Sequence, residues 1–480
     1  MLIILLIAVP FLGGLLSLLS PASKAKYTAL FFSSITLVLA CVAYSLFTTQ
    51  SNAPMLAFDA SWIESIGARF TIEIGNGLSL LMVLLTSLIF PAIYLFINDK
   101  APENQKVFYG LMSFAQVGLM GVFVAKDALL FYGFWELALI PVYFLASLYG
   151  GAKRIAVTFK FFVYTFVGSL LMLVAILYIY QHTPNHSFSW NDFVETGKQL
   201  SLFDQSWLFW LMFVAFAIKM PIFPFHTWQP DAYEQSATPI TVVLSAIMVK
   251  MGLFAVMVWL IPVVNEGSKH WTNVVMTLSI IGIVYASCLA MMQNNLKRLI
   301  AYSSIAHVGL MCAAIFSQHE LGTQGAIVQM FNHGINIMGL WFMVLLIENR
   351  LSTQNLDEMG GIAKVAPTFT IALVVISLAN IALPLTNGFV GEFLMFNGVF
   401  NASSRYRIIF TVLAGLGVIL SAVYTLSMIR KVAYGEVNKN TENFRDVSKN
   451  ELFVLGVILL IILVLGFYPR LITDLIAGTR

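Results

Sequence analysis

Four ionisable residues of this 480-residue sequence lie inside long apolar runs: Glu136, Lys219, Lys250 and Glu392. A charge at the centre of a lipid bilayer costs roughly 3 kcal/mol on insertion scales, so such residues are seldom kept for structural reasons alone. Carboxylates and amines can bind and release protons at such depths. Two acids and two bases buried in this way predict the stations of a proton or cation path.

Two histidines lie in sequence between Lys250 and Glu392 and could carry protons between them. His333 has an amide side chain four residues before it and another three residues after it, on the same face of a helix. His307 lies in a second polar stretch, and imidazole titrates close to neutral pH. A lone histidine could equally be a satisfied packing residue, but two in this place favour a relay. For His226, near a helix end, both interpretations stay open.

The surroundings of the four charges suggest different roles. Lys219 directly precedes a proline-containing interruption, and we expect it to pair with Glu136 and to alternate between a paired and a separated state. Lys250 lies midway along its span, too deep to reach the lipid headgroups comfortably, and a desolvated lysine is a competent proton carrier. Glu392 follows a second interruption and would be the terminal acid.

Composition identifies the class of protein. The chain is 59% hydrophobic and 10% charged, with a mean hydropathy of +0.86, whereas soluble domains carry about 25% charged residues. It is therefore a polytopic helical membrane protein, and its net charge of +3 argues against a nucleic-acid partner.

The three cysteines do not indicate a disulfide or a metal site. Cys41, Cys288 and Cys312 lie in apolar runs without a CxxC pair or a Cys/His cluster, so we expect neither disulfides nor a metal site.

Apolar runs of about 20 residues, the length that crosses a bilayer as a helix, predict about fourteen transmembrane spans. The predicted spans are 2–20, 27–48, 77–97, 108–125, 128–149, 156–180, 206–229, 236–263, 272–292, 299–317, 323–347, 368–398, 406–430 and 451–473. An even number places both termini on one side. Loops on the opposite, inner side then carry fifteen Lys and Arg residues, including Lys100, against eight outside, including Arg480. This asymmetry fits the positive-inside rule with both termini outside.

Prolines interrupt two spans, at Pro221 in the seventh and at Pro384 in the twelfth. Proline removes an intrahelical hydrogen bond, and inside a membrane the freed backbone groups must be satisfied by protein or water, so a broken helix usually lines a cavity. Breaks at matching places in two halves indicate internal repeats with ion sites near the breaks. The predicted units are N-terminal helices at 1–107, repeats at 108–263 and 264–430, and a loop with the last helix at 431–480.

Several of these residues stand in long segments that resemble a known family. The segments are FWEL at 134–137, KMPIFPFHTWQPDA at 219–232 and KRLIAYSSIAH at 297–307. The sequence resembles, over nearly its whole length, the antiporter-like membrane subunits of respiratory complex I (NADH–quinone oxidoreductase), which are similar to Mrp-type cation/proton antiporter subunits. The segment GFVGEF at 388–393 is similar to the branch of these subunits that has glutamate where its sisters have lysine.

The resemblance implies an all-α fold with two inverted five-helix repeats, each with a broken helix. It implies a proton path, driven by quinone reduction elsewhere in the complex, with these members: Glu136 and Lys219 as a modulating ion pair, Lys250 as central carrier, His307 and His333 in a hydrated connection, and Glu392 as exit-side carrier. No cofactor is implied in this chain. The implied partners are the other membrane subunits, especially the antiporter-like subunits L and N, in a bacterial inner membrane with both termini periplasmic.

Two alternatives remain open on the sequence. An Mrp-type or stand-alone antiporter would exchange sodium for protons, and Glu392 is the feature that speaks against it. A scaffold would use its buried charges only to fix helix packing, and then neutralising all four would leave transport unchanged. Four buried charges are hard to explain by packing alone, so we favour proton translocation.

Overall fold

Helices make up nearly all the regular structure of the chain, seen in a computed structural model that describes residues 2–49, 55–97 and 103–477. The helices of the first half are α1 (Leu2–Leu19), α2 (Ala22–Thr48), α3 (Gly77–Phe96), α4 (Gln105–Val124), α5 (Ala128–Leu148), α6 (Arg154–His182), α7 (Trp190–Gln199), α8 (Leu202–Lys219), α9 (Gln229–Gln235) and α10 (Thr238–Val263). Those of the second half are α11 (Asn265–Met291), α12 (Leu296–Phe316), α13 (Glu320–Leu351), α14 (Ile362–Val365), α15 (Pro367–Asn380), α16 (Asn387–Phe400), α17 (Arg407–Ala433), α18 (Lys449–Phe467) and α19 (Arg470–Ile476).

The prediction of a polytopic helical protein with about fourteen spans is confirmed. Thirteen helices among the described residues are long and apolar enough to cross a membrane. The remaining predicted span, 368–398, is the broken pair α15 and α16. Lys100 and Arg480, which the topology prediction used, lie outside the described residues.

Both predicted interruptions are present. Helix α8 ends at Lys219, and the chain passes through turns before α9 begins at Gln229. Between α15 and α16 the backbone of Ala382 and Leu385 adopts left-handed φ angles of 56° and 74°, a conformation that is uncommon away from glycine and incompatible with a continuing helix. The breaks lie where proline removes the amide that a helix would need.

The helices that carry Lys250, His307 and His333 are almost fully buried. In the most apolar stretch of each helix, 94% of the residues are buried in α10 and α12 and 89% in α13, against 22% in α2 and 33% in α17 and α18. The outer helices expose large apolar side chains, as expected for a surface solvated by lipid tails. The central helices therefore provide an interior screened from lipid, where ionisable groups can be paired.

One short hairpin precedes α3. Strands β1 (Ala57–Ile63) and β2 (Ala68–Glu73) pair antiparallel, with Ala57 opposite Glu73 and a register shift between Ser61 and Ile63.

Each half of the chain contains a closely packed pair of helices. Helix α6 packs against α8 in the first half, and α13 packs against α16 in the second. The division at 107, 263 and 430 into repeats stays a prediction.

Candidate functional site

Lys250 lies in the middle of α10, and none of its surface is exposed. On either side of it the helix widens into π turns, at Leu244–Met248 and at Val256–Leu260. Single π turns are rare in proteins, and those that occur are frequently found at functional sites. The side-chain nitrogen donates to the carbonyl of Ser245 at 2.8 Å and lies 2.8 Å from Nδ1 of His333 on α13. The predicted central lysine therefore contacts one of the two predicted histidines directly.

The two histidines continue the line. The rings of His333 and His307 have centroids 5.6 Å apart, and both side chains are buried. Nε2 of His333 lies 3.4 Å from the hydroxyl of Ser304, and Nδ1 of His307 lies 2.8 Å from the carbonyl of Ser303. Helices α12 and α13 thus hold the two imidazoles side by side.

His307 connects this line to the second break. Its Nε2 lies 2.8 Å from the carbonyl of Asn380, the last residue of α15, and 3.6 Å from Oε1 of Glu392 on α16. Glu392 is only 6% exposed. Four of the six predicted site residues, Lys250, His333, His307 and Glu392, therefore form one continuous buried series across four helices.

Side chains of α13 bond to backbone carbonyls on both sides of the second break. Nδ2 of Asn332 donates to the carbonyl of Asn387 at 2.7 Å, and Nδ2 of Asn336 donates to the carbonyl of Ala379 at 3.1 Å. These buried hydrogen bonds tie α13 to the end of α15 and to the start of α16. The sequence singled out Asn336 but missed Asn332, whose only signal is an amide directly before His333.

The sequence analysis also did not predict the hydrogen bond between the hydroxyls of Tyr424 and Ser303, next to His307. Tyr424, on α17, is buried and donates to Oγ of Ser303 at 2.9 Å. Nδ2 of Asn380 lies 3.4 Å from the same oxygen. A tyrosine in an apolar run is a weak signal, and the sequence does not indicate that α17 meets α12 at this point.

The two predicted residues of the first half do not form an ion pair. Lys219 is 1% exposed, and its Nζ has no hydrogen-bond partner among the described residues; it lies 5.6 Å from the ring centre of Trp135. Glu136 is half-buried, and its Oε1 is buried and unpartnered. Within the described residues no ion pair joins Glu136 to Lys219.

The end of α8 packs directly on α10. A Cβ atom at Gly252 would lie 2.7 Å from Cβ of Met220 and 2.7 Å from the carbonyl oxygen of Phe216. Only glycine permits such an approach, and Gly252 is two residues from Lys250. The lysine at the first break and the central lysine therefore lie on helices in direct contact.

His226, whose role the sequence left open, lies within the first break. It is 4% exposed, and its ring faces Phe223 at 5.7 Å and Tyr285 at 5.4 Å between centroids. Its Nδ1 is unpartnered. In the described part of the chain, no group of three or more His, Cys, Asp or Glu residues is arranged to hold a metal ion.

Comparisons with known proteins identify the family of the chain. A family described as "NADH:quinone oxidoreductase/Mrp antiporter, TM" matches residues 125–417. NADH-quinone oxidoreductase subunit M of Rickettsia prowazekii (strain Madrid E) is 36% identical, over 93% of this chain and 90% of that protein. The resemblance to these membrane subunits that the sequence predicted is confirmed.

Solved structures share the fold. A chain of respiratory complex I from Thermus thermophilus with bound NADH superposes with a TM-score of 0.89 and 28% identity, covering 99% of this chain and 98% of that one. A chain of the Mrp complex from Dietzia sp. DQ12-45-1b gives a TM-score of 0.87 at 20% identity and covers 99% of this chain and 52% of that one, which is a likeness of fold alone. The chain belongs to the NADH:quinone oxidoreductase/Mrp antiporter membrane family, and its curated relatives in that family are subunit M proteins.

Proposed function

We propose that this chain is the proton-translocating subunit M of the membrane arm of an NADH:quinone oxidoreductase. It acts as part of that enzyme, with the redox chemistry carried out by other subunits. The observation that carries the proposal is the buried series Lys250, His333, His307 and Glu392, with contacts of 2.8 Å at its start and 3.6 Å at its end. Titratable groups spaced in this way within a membrane interior are suited to proton transfer.

The chemistry follows from the types of group. A protonated Lys250 donates its hydrogen bond to Nδ1 of His333, and after the proton moves the neutral amine can accept one from the imidazolium. The same contact therefore serves both protonation states. From the histidines the proton passes to the carboxylate of Glu392, the only acid in the series. Water between the two imidazoles completes the connection, since 5.6 Å separates their centroids.

Glu136 and Lys219 act as the modulating pair in this proposal. In the separated arrangement Nζ of Lys219 and Oε1 of Glu136 are buried without a hydrogen-bond partner, which is a costly state. A charge rearrangement in a neighbouring subunit, driven by quinone reduction, would draw Lys219 toward Glu136. Because the end of α8 packs on α10 at Gly252, that movement changes the electric field at Lys250.

The remaining expectations complete the proposal. The partners are the other membrane-arm subunits, in particular the antiporter-like subunits L and N, with the lipid bilayer around them. The chain holds no cofactor of its own. It lies in a bacterial inner membrane with both termini on the periplasmic side, an orientation supported by the excess of basic residues in the opposite loops.

The test is proton pumping by the assembled complex in proteoliposomes, measured together with quinone reduction. Variants E136Q, K219A and E392Q are each expected to lower the protons pumped per electron. K198R, at an exposed lysine, is the control. Normal pumping by all three site variants would refute the role. Sodium-dependent transport in vesicles that contain this chain alone would instead support an Mrp-type antiporter.

A further inference from the structure

A cavity of about 480 Å³ opens beside the start of α10, at the face that the basic residues assign to the inside. Its lining is mixed: Phe108, Leu148 and Leu345 are among the apolar residues, and the polar ones include Glu103, Tyr149, Arg154, Thr238 and Glu348. A cavity of this size with several polar groups can hold water molecules. No residue of the path described above lines it.

One carboxylate forms the inner wall of this cavity. Oε1 of Glu348 lies 3.3 Å from Nζ of Lys297, which is almost fully buried, and accepts a hydrogen bond of 2.8 Å from Gln354. Its Oε2 accepts a hydrogen bond from the hydroxyl of Thr238, the first residue of α10. Glu348 is thus held in place between the cavity and the interior, with a hydroxyl of α10 on its carboxylate.

Further hydroxyls lead from this point toward Lys250. Thr238, Thr241 and Ser245 follow one another at spacings of three and four residues, so they share one face of α10. All three are buried, at 2%, 0% and 0% exposed. The hydroxyl of Ser245 donates to the carbonyl of Thr241 at 2.8 Å, and the carbonyl of Ser245 accepts the hydrogen bond of Lys250.

The spacing suits a water-bridged path. Side chains three and four residues apart on a helix have Cβ atoms about 5–6 Å apart, a gap that one water molecule can bridge. The hydroxyls of Thr241 and Ser245 donate to backbone carbonyls and that of Thr238 donates to Glu348, so each oxygen is left free to accept from such a water. In the described chain these three hydroxyls form a row between a surface cavity and a buried lysine.

We propose that this cavity is the inner proton entrance, that Thr238 passes the proton to the accepting carboxylate of Glu348, and that Thr241 and Ser245 carry it on to Lys250. Hydronium in the cavity gives a proton to the hydroxyl of Thr238, which releases its own to the carboxylate of Glu348. The carboxylic acid then passes a proton through water and the next two hydroxyls, each taking up one proton and releasing one. Lys250 becomes an ammonium, and Glu348 returns to a carboxylate. This inference rests on the proposed function.

Proton uptake by the assembled complex in vesicles tests the route. E348Q removes the titratable group but keeps an acceptor for Thr238, and T238V removes only the hydroxyl. Both are expected to slow proton uptake about tenfold or more, because positioned proton-transfer groups contribute about 10²–10⁴-fold. T238S restores the hydroxyl and should restore the rate. T370V, at a buried threonine of α15 that donates to a backbone carbonyl, is the matched control.

The outcomes separate this inference from the function on which it rests. If E392Q blocks pumping while T238V and E348Q pump normally, the entrance is elsewhere and the inference is refuted. If E136Q, K219A and E392Q all pump normally as well, the proposed function itself fails. If E348Q does not assemble, T238V decides alone: slowed uptake that T238S restores supports the route, and unchanged uptake overturns it.

Accessibility provides a second, independent measurement. In a variant in which Cys41, Cys288 and Cys312 are replaced, N349C places a thiol on the cavity lining. A membrane-impermeant maleimide should label it from the side that carries the basic loops. Labelling only from the opposite side, or no labelling of a complex that pumps, would show that the cavity is not an entrance from that side.

Discussion

Nζ of Lys250 lies 2.8 Å from Nδ1 of His333, although the two residues are 83 positions apart and are carried by different buried helices. An ammonium can only donate in this contact, and a neutral amine can also accept. The pair can therefore hold one proton on either partner without losing its hydrogen bond. No other charged group contacts Lys250 in the described residues.

Replacing Lys250 with arginine keeps the positive charge but is expected to stop pumping through this subunit. A guanidinium does not release its proton in proteins, so the transfer to His333 cannot occur. The measurement is protons pumped per electron by the reconstituted complex, with quinone reduction followed in the same vesicles. K198R, at an exposed position, should behave as wild type. A K250R complex that pumps at the wild-type ratio would show that Lys250 acts only as a fixed charge.

Removing the amide of Asn332 is expected to destabilise the second break. N332A removes the buried hydrogen bond of 2.7 Å between α13 and the carbonyl of Asn387, and a hydrogen bond contributes about 0.5–1.5 kcal/mol net. Thermal unfolding of the assembled complex, followed by hydrogen exchange of α16, should show the loss there first. N401A is the matched control, because the amide of the exposed Asn401 bonds to Asn397 one turn away. Equal exchange of α16 in both variants would contradict this role of Asn332.

Gly252 is expected to tolerate no side chain. In G252A the new methyl group would lie 2.7 Å from both Cβ of Met220 and the carbonyl of Phe216, and this overpacking costs about 1–3 kcal/mol. The variant should pump fewer protons per electron while reducing quinone normally, because α10 is displaced from the end of α8. G456A should be neutral or stabilising, since nothing lies within 4 Å of a Cβ there. Unchanged pumping by G252A would argue against coupling between the two helices.

The sequence predicts the membrane spans, the two breaks and the buried charges because each depends on local chemistry: apolar length, proline and the cost of a charge in lipid. It does not predict which groups meet. The contact between Tyr424 and Ser303 joins residues 121 positions apart, and the π turns beside Lys250 depend on what packs around α10. The gap between Glu136 and Lys219 is equally invisible in the sequence, since small shifts of two helices decide it.

Asp446, in the loop before α18, makes the start of α15 sensitive to acid. Its two oxygens accept the amides of Thr368 and Phe369 at 3.0 and 2.8 Å. Burial alone would raise the pKa of Asp446, but the amides of Phe369, Val447 and Thr368 outweigh it and hold that pKa below the ordinary value of 3.8. A carboxylate whose pKa is lowered in the folded state stabilises the fold at pH values above its unfolded pKa. It loses that contribution as the pH falls through its folded pKa.

We therefore expect hydrogen-exchange protection of residues 367–371, corrected for intrinsic exchange, to be constant above about pH 4 and to decline below it. D446N keeps one acceptor oxygen but no charge, so it should show weaker protection at neutral pH and no decline in acid. E442Q, at an exposed acid of the same loop, should retain the wild-type profile, and a D446N profile that still declines in acid would assign the effect to another group.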